Sequence, residues 1–138
     1  MIAYLDSSVL LRVVLGEAGA LREWRQVSRP VVSPLLRVES LRTLDRMALT
    51  GILDDEGLAR RREAVFRFVE RCEHIDLDAS VLERASQPFP TPLGTLDALH
   101  LSSAMLYRDR TMEAIAFATH DLALARAARS AGFAILGA

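Results

Sequence analysis

The stretch Ile2-Ala3-Tyr4-Leu5-Asp6-Ser7-Ser8 decides the fold prediction, because an apolar run there meets an acid and two hydroxyl residues. The run itself predicts a buried strand over residues 2–5. A serine after Asp6 can cap a helix, and the apolar spacing of Val9, Leu10, Val13 and Val14 indicates that a helix follows. The chain is therefore predicted to open as strand, turn and helix.

The same alternation continues along the rest of the chain. Further strands are predicted over residues 30–33, 74–77, 115–119 and 133–136. Helices are predicted over residues 18–27, 34–50, 54–73, 79–85, 95–107 and 122–131, and the three prolines of residues 87–94 predict a loop. Strands alternating with helices indicate an α/β fold, a three-layer α/β/α sandwich with a central parallel sheet covered on both faces.

Length and composition narrow the class of protein. A chain of 138 residues fits one domain, which we expect to span residues 1–138. With 51% apolar and 25% charged residues, the composition is typical of a globular protein and not of a disordered one. The single Cys72 allows no intramolecular disulfide, and no apolar stretch is long enough to span a membrane. We therefore expect a cytoplasmic protein.

The charge pattern points only weakly toward nucleic acid. The net charge of -1 argues against broad, nonspecific binding to a polyanion. All 17 basic residues are arginine, whose planar fork pairs well with phosphate. Genome base composition can produce the same bias, so both explanations stay open.

Two aspartates follow predicted strands. Asp6 comes directly after the first strand, and Asp121 follows the strand predicted over residues 115–119. In open parallel sheets, ligands bind at the carboxyl ends of the strands, so these two acids are expected to converge in one crevice. Helix capping by aspartate would explain each of them separately.

Two further acids lie on predicted helices. Asp97 is in line with Leu101 and Ala104 on a nearly apolar helix, where an ionised carboxylate is costly unless it is paired or binds a cation. The alternative is that Asp97 simply lies in the first helical turn, where the dipole favours a negative charge. Glu39 lies at the margin of an apolar stripe, and an exposed ion pair with Arg42 is the alternative explanation for it.

Taken together, four acids suggest metal chemistry. Four carboxylates in one crevice repel each other and have raised pKa values unless a cation neutralises them. Carboxylate ligands select hard ions, which makes Mg²⁺ or Mn²⁺ the expected metal. Such ions activate water and stabilise charge on a phosphoryl group. Phosphodiester hydrolysis fits this set of residues.

Other catalytic classes find less support. His74, His100 and His120 lack metal-ligand spacing; we expect His100 to be a packed core residue, whereas His120 could contact substrate. The sequence has no glycine-rich phosphate loop and no G-x-S-x-G elbow. A haloacid-dehalogenase-like phosphatase would carry a second acid two residues after Asp6, and Ser8 occupies that position.

Four segments, in order and well separated, carry a family resemblance. They are Ile2-Ala3-Tyr4-Leu5-Asp6-Ser7-Ser8, Val38-Glu39-Ser40-Leu41, Leu96-Asp97-Ala98-Leu99-His100-Leu101 and Ala118-Thr119-His120-Asp121. In these segments, and over essentially its whole length, the chain resembles the PIN domains, and within them the VapC toxins of toxin–antitoxin pairs.

The resemblance implies specific roles. Asp6, Glu39, Asp97 and Asp121 would be the catalytic, metal-binding acids, with Ser8 as an accessory polar contact. The metal would be Mg²⁺ or Mn²⁺, and the activity endoribonuclease cleavage of RNA. A small antitoxin protein would block the site, and the enzyme would form a homodimer.

One departure and two alternatives remain. Many PIN domains carry a further acid two residues after the last aspartate, where this chain has Ala123, which puts a second fully ligated metal in doubt. The chain could instead be a module that binds RNA or a partner protein with an unused acid site. It could also be a DNA-directed nuclease, because nothing in the sequence recognises a 2′-hydroxyl.

Overall fold

The computed structural model describes residues 1–17, 20 and 22–138, with the side chain of residue 23 left aside. Strands and helices alternate along the chain. In order they are β1 (Ile2–Leu5), α1 (Ser7–Leu15), a short 3₁₀ helix (Arg22–Gln26), β2 (Arg29–Val32), α2 (Pro34–Leu49), α3 (Asp55–Glu70), β3 (Glu73–His74), α4 (Ala79–Ala85), α5 (Thr95–Thr111), β4 (Ile115–Ala118), α6 (Leu122–Ser130) and β5 (Ala134–Leu136).

The five strands form one parallel sheet in the order β3-β2-β1-β4-β5. The central strand β1 pairs with β2 on one side and with β4 on the other, so that Tyr4 lies between Val31 and Phe117. From β1 the strands follow one another through β2 to one edge of the sheet, and from β4 they continue through β5 to the other edge. The switch point of the sheet therefore lies between β1 and β4. Ligands bind at such a switch point in open α/β sheets, and here the carboxyl ends of β1 and β4 lie side by side.

Helices cover both faces of the sheet. Successive side chains of β1 point to opposite faces, which places Leu5 in one core and Tyr4 in the other. The core around Leu5 includes residues of α1, α2 and α3, among them Leu10 and Leu44. The core around Tyr4 includes residues of α5 and α6, such as Leu101. The predicted three-layer α/β/α sandwich is confirmed.

Most predicted elements are present, and the differences are local. Helix α4 and the loop over residues 87–94 lie where predicted, whereas α5 continues to Thr111. Strand β3 is only Glu73–His74, shorter than the predicted 74–77, because the chain leaves the sheet edge and Asp78 caps α4. Asp6, not a serine, caps α1.

The helix predicted over residues 18–27 differs in type within the described residues, because the helix found there is a short 3₁₀ helix and not an α-helix. The chain forms a 3₁₀ helix at Arg22–Gln26, and residues 18, 19 and 21 lie outside the described residues. Trp24 packs against Phe68 of α3 with ring centroids 5.2 Å apart, which fastens this short turn to the core. Within the described part of the chain, we find no helix with the length and apolarity needed to cross a membrane.

Candidate active site

Asp6 lies at the junction of β1 and α1 and is only 5% exposed. Its Oδ1 accepts hydrogen bonds from the backbone N–H of Ser8 at 3.1 Å and from Ser8 Oγ at 2.5 Å. Its Oδ2 accepts a hydrogen bond from Thr119 Oγ1 at 2.9 Å. Burial raises the pKa of Asp6, and the hydrogen bonds from Ser8 and Thr119 offset part of that rise.

The same two hydroxyls join the turn after β1 to the turn after β4. Ser8 Oγ accepts from the backbone N–H of His120 at 2.9 Å, and Thr119 Oγ1 accepts from the backbone N–H of Asp121 at 3.0 Å. Both hydroxyls donate to Asp6. Ser8 also accepts from the other turn, whereas Thr119 accepts from the N–H of Asp121 in its own turn. Ser8 has the expected contact with Asp6. Sequence reasoning missed Thr119, although a hydroxyl just past a strand and two residues before a candidate acid was a usable signal.

Asp121 caps α6, and its Oδ1 accepts from the backbone N–H of Leu124 at 2.8 Å. The capping explanation is thus correct for both Asp6 and Asp121, and it does not compete with a role in the site. A cap fixes the carboxylate at a strand's carboxyl end, which is where the crevice lies.

Asp97 is the third residue of α5 and is half-buried. It makes no hydrogen bond with the described residues, so no loop amide satisfies it there. Burial raises the pKa of Asp97, and the negative charges of Asp121, Asp6 and Glu39 raise it further, with His100 acting in the opposite sense. Asp6, Glu39 and Asp121 therefore lie close enough to Asp97 for their charges to change its pKa.

Glu39 projects from α2 toward His100 of α5. The two side chains make a hydrogen bond between His100 Nε2 and Glu39 Oε1. Arg42 pairs instead with Asp45 at 3.1 Å, so the alternative of a Glu39–Arg42 ion pair is wrong. His100 is 1% exposed, which confirms that it is a core residue, but sequence reasoning missed its contact with Glu39.

His120 flanks the same junction. Its Nδ1 lies 3.0 Å from the carbonyl oxygen of Gly137, and its Nε2 is buried without a hydrogen-bond partner among the described residues. The ring therefore faces the turn after β5, and the predicted contact of His120 with substrate stays a prediction.

The donors suit a hard cation that keeps some of its water. The four acids offer carboxylate oxygens, the ligands that Mg²⁺ and Mn²⁺ prefer. Among the described residues, no three Asp, Glu, His or Cys side chains are already gathered as closely as a metal ligand set. Mg²⁺ is commonly held through one or two carboxylates together with water molecules, so it does not require a closed set of protein ligands.

The chain is similar to known proteins over nearly its whole length. Residues 3–130 match the family model of the PIN domain. Ribonuclease VapC46 of Mycobacterium tuberculosis is 31% identical over 136 residues, which covers 96% of this chain and 95% of that protein.

Solved structures share the fold at low sequence identity. VapBC2 of Rickettsia felis, solved with a DNA fragment from its promoter, matches with a TM-score of 0.68 and 12% identity over 98% of this chain and 97% of the other. PAE2754 of Pyrobaculum aerophilum matches with a TM-score of 0.65 and 16% identity, over 98% and 83%. VapC20 of Mycobacterium tuberculosis, a sarcin-ricin loop cleaving toxin, matches with a TM-score of 0.61 and 16% identity, over 95% of both chains.

The family model covers nearly the whole chain, and the relative is similar from end to end. Asp6 and Asp121 follow β1 and β4 at the switch point of the sheet, where ligands bind in open α/β folds. The chain therefore belongs to the PIN-domain family, among the VapC-type toxin ribonucleases.

Proposed function

We propose that this protein is a Mg²⁺- or Mn²⁺-dependent endoribonuclease and the toxin of a type II toxin–antitoxin pair. The observation that carries the proposal is Asp97: a half-buried acid without a hydrogen bond among the described residues, whose pKa is raised by the charges of Asp121, Asp6 and Glu39 as well as by burial. Such a cluster is costly unless a cation binds it. The ribonuclease relative, similar over the whole chain, supports RNA as the substrate.

Asp6, Glu39, Asp97 and Asp121 would hold the metal, and Ser8 would fix the carboxylate of Asp6. The bound ion would supply an activated water and stabilise the charge that develops on the phosphoryl group. Asp97 or Asp121 would orient that water for in-line attack on the RNA phosphodiester. Arginine side chains would position the RNA backbone through paired hydrogen bonds to phosphate.

The proposed partners follow from the relatives. VapBC2 is a complex of this fold, and VapC20 cleaves the sarcin-ricin loop, which supports an antitoxin protein and an RNA substrate here. We further propose a homodimer in the cytoplasm. The single Cys72, with its buried thiol, is compatible with a reducing compartment.

Cleavage of total cellular RNA tests the proposed activity. Purified, antitoxin-free protein is incubated with RNA in Mg²⁺ or Mn²⁺ and in EDTA, beside Asp6→Asn and Asp97→Asn variants, which remove one charge and nearly preserve shape. We expect discrete fragments that require metal. Each variant should be slower by at least about 100-fold, which corresponds to about 2.7 kcal/mol in the barrier.

Full metal-dependent activity in both variants would contradict the proposal. Intact RNA together with tight RNA binding in Mn²⁺ would favour a binding module, and cleavage of DNA alone would favour a DNA-directed nuclease.

We also propose that the protein itself holds one metal ion, because Ala123 stands where a further acid would complete a second site. Calorimetric titration with Mn²⁺ in the absence of RNA should give a stoichiometry near one per chain. Two tight sites without RNA would contradict this expectation. An Ala123→Asp variant provides the matched comparison, because it restores the missing carboxylate.

A further inference from the structure

The carboxylate of Glu39 is held by a buried chain of two side chains that the proposed chemistry does not use. His100 Nε2 contacts Glu39 Oε1, and the other ring nitrogen, Nδ1, lies 2.8 Å from the hydroxyl of Tyr4. Tyr4 is 0% exposed and His100 is 1% exposed. The chain of contacts joins β1, α5 and α2.

The direction of these hydrogen bonds follows from the donor inventory. An ionised carboxylate only accepts, so the proton of the Glu39 contact is on His100 Nε2 whether the ring is neutral or charged. In the neutral ring, Nδ1 then accepts, and the Tyr4 hydroxyl donates to it. The hold on Glu39 therefore does not depend on the charge of the ring.

Glu39 needs such a hold more than the two capping acids, Asp6 and Asp121, do. Asp6 and Asp121 are short side chains fixed as helix caps, whereas Glu39 has one more rotatable bond and projects from the middle of α2. Its second carboxylate oxygen makes no hydrogen bond with the described residues. Without His100, the carboxylate would be free to turn away from the crevice.

The placement of His100 also couples two acids. His100 follows Asp97 by three residues on α5, so the helix that carries one acid also carries the ring that orients another. Partners of this kind, which fix the direction of a metal ligand, change metal affinity or activity by roughly 10- to 100-fold when they are removed.

We propose that His100 is a positioning residue of the metal site: its Nε2–H directs the Glu39 carboxylate toward Asp6 and Asp97, and the Tyr4 hydroxyl fixes the ring. This inference rests on the proposed function, because it assigns a role toward the same metal.

The test compares two amide variants of one position. His100→Gln can place its amide N–H near the position of Nε2 and keep the bond to Glu39. His100→Asn places its amide near Nδ1 and cannot reach Glu39. Both bury an amide, so they are matched in polarity. Calorimetry with Mn²⁺ alone should show affinity reduced roughly 10- to 100-fold in His100→Asn and largely retained in His100→Gln.

Cleavage of RNA supplies a second readout. If His100 acts through metal affinity, excess Mn²⁺ should restore the cleavage rate of His100→Asn at a temperature where the metal-free variant is already folded, so that stabilisation of the fold by Mn²⁺ does not explain the recovery. Tyr4→Phe keeps the Glu39 contact, and its loss of affinity should be smaller than that of His100→Asn. Should His100→Asn fail to fold, His100→Met, which fills the space with apolar atoms, takes its place.

A double-mutant cycle tests whether His100 acts through Glu39. Glu39→Gln should weaken Mn²⁺ binding, and adding His100→Asn to it should cause no further loss, because the two changes share one interaction. Wild-type Mn²⁺ affinity in His100→Asn, or losses that multiply independently, would overturn the inference.

The two proposals can fail separately. If Asp97→Asn and Glu39→Gln both bind Mn²⁺ as tightly as the unchanged protein, the proposed metal site itself is wrong. If these two lose binding while His100→Asn does not, only the positioning role of His100 is wrong.

Discussion

At the scale of single residues, Asp97 shows how the candidate site lowers the stability of the metal-free protein. A half-buried carboxylate near three others, without a hydrogen bond among the described residues, opposes folding when it is charged and metal is absent. Burial is the largest cause of its raised pKa. The folded state therefore binds the Asp97 proton more tightly than the unfolded state does, and stability gained on protonation is lost as the pH rises through the folded pKa.

Asp97→Asn should therefore raise the melting temperature of the metal-free protein at pH 7.5. The gain should shrink as the pH falls toward the ordinary aspartate pKa of 3.8, because the carboxyl of the unchanged protein is then protonated as well. Thermal unfolding of both proteins in EDTA measures this gain in melting temperature. Added Mn²⁺ should stabilise the unchanged protein more than the variant. A lower melting temperature for the variant in EDTA would contradict this reasoning.

Cys72 illustrates a residue that burial makes inert. It lies just beyond α3, is 8% exposed, and its thiol donates to the carbonyl oxygen of Phe68 at 3.3 Å. Burial raises the pKa of Cys72 to about 12. Because the thiolate is the reactive form, alkylation of the native protein at pH 8 should be at least about tenfold slower than in urea. Equal rates in the two conditions would show that the thiol is accessible.

At the scale of elements, Thr119 supplies one of the two hydroxyls that join the β1 and β4 turns. Thr119 is 0% exposed and bridges Asp6 Oδ2 and the backbone N–H of Asp121. Two elements that are far apart in sequence thus share one buried polar contact. Its loss would leave a carboxylate oxygen and an N–H without this partner.

Thr119→Val should destabilise the protein by about 1–3 kcal/mol, because it keeps the shape and removes the hydroxyl. Thr119→Ser restores the hydroxyl and is the matched control, so it should recover most of the loss. Urea unfolding of both variants gives the difference. A free energy of unfolding for Thr119→Val equal to that of the unchanged protein would mean that the bridge contributes nothing.

The elements also show what the sequence could predict. The sequence predicted that the strand ends before Asp6 and Asp121 lie at one edge of a parallel sheet, and β1 and β4 are neighbours there. The contact between Glu39 and His100 was not predictable, since it joins residues 61 apart in the chain and local spacing carries no information about it. Local spacing even suggested the wrong partner for Glu39, because Arg42 pairs with Asp45.

Elements at the edges were predicted least well. The two-residue strand β3 lies at the edge of the sheet beside β2, so little in its own sequence distinguishes it from a turn. The 3₁₀ helix at Arg22–Gln26 owes its place to the packing of Trp24 on α3, a tertiary contact that no propensity encodes. The central strands were predicted closely, because a strand buried on both faces is apolar throughout.

At the scale of the whole molecule, the strand order divides the candidate site between two halves of the chain. Asp6 lies in the turn between β1 and α1, and Glu39 lies on α2. Asp97 lies on α5, and Asp121 lies at the start of α6. The two halves meet where β1 pairs with β4. Neither half carries more than two of the four acids.

That division has a consequence during synthesis on the ribosome. Pairing of β1 with β4 is a contact between distant parts of the chain, which forms late because the intervening loop must first be closed. A nascent chain that ends before α5 contains only two of the four candidate acids, Asp6 and Glu39. On the proposed function, the nascent chain therefore lacks two of its metal-binding acids until α5 and the start of α6 have emerged, so RNA cleavage would begin only near the end of synthesis.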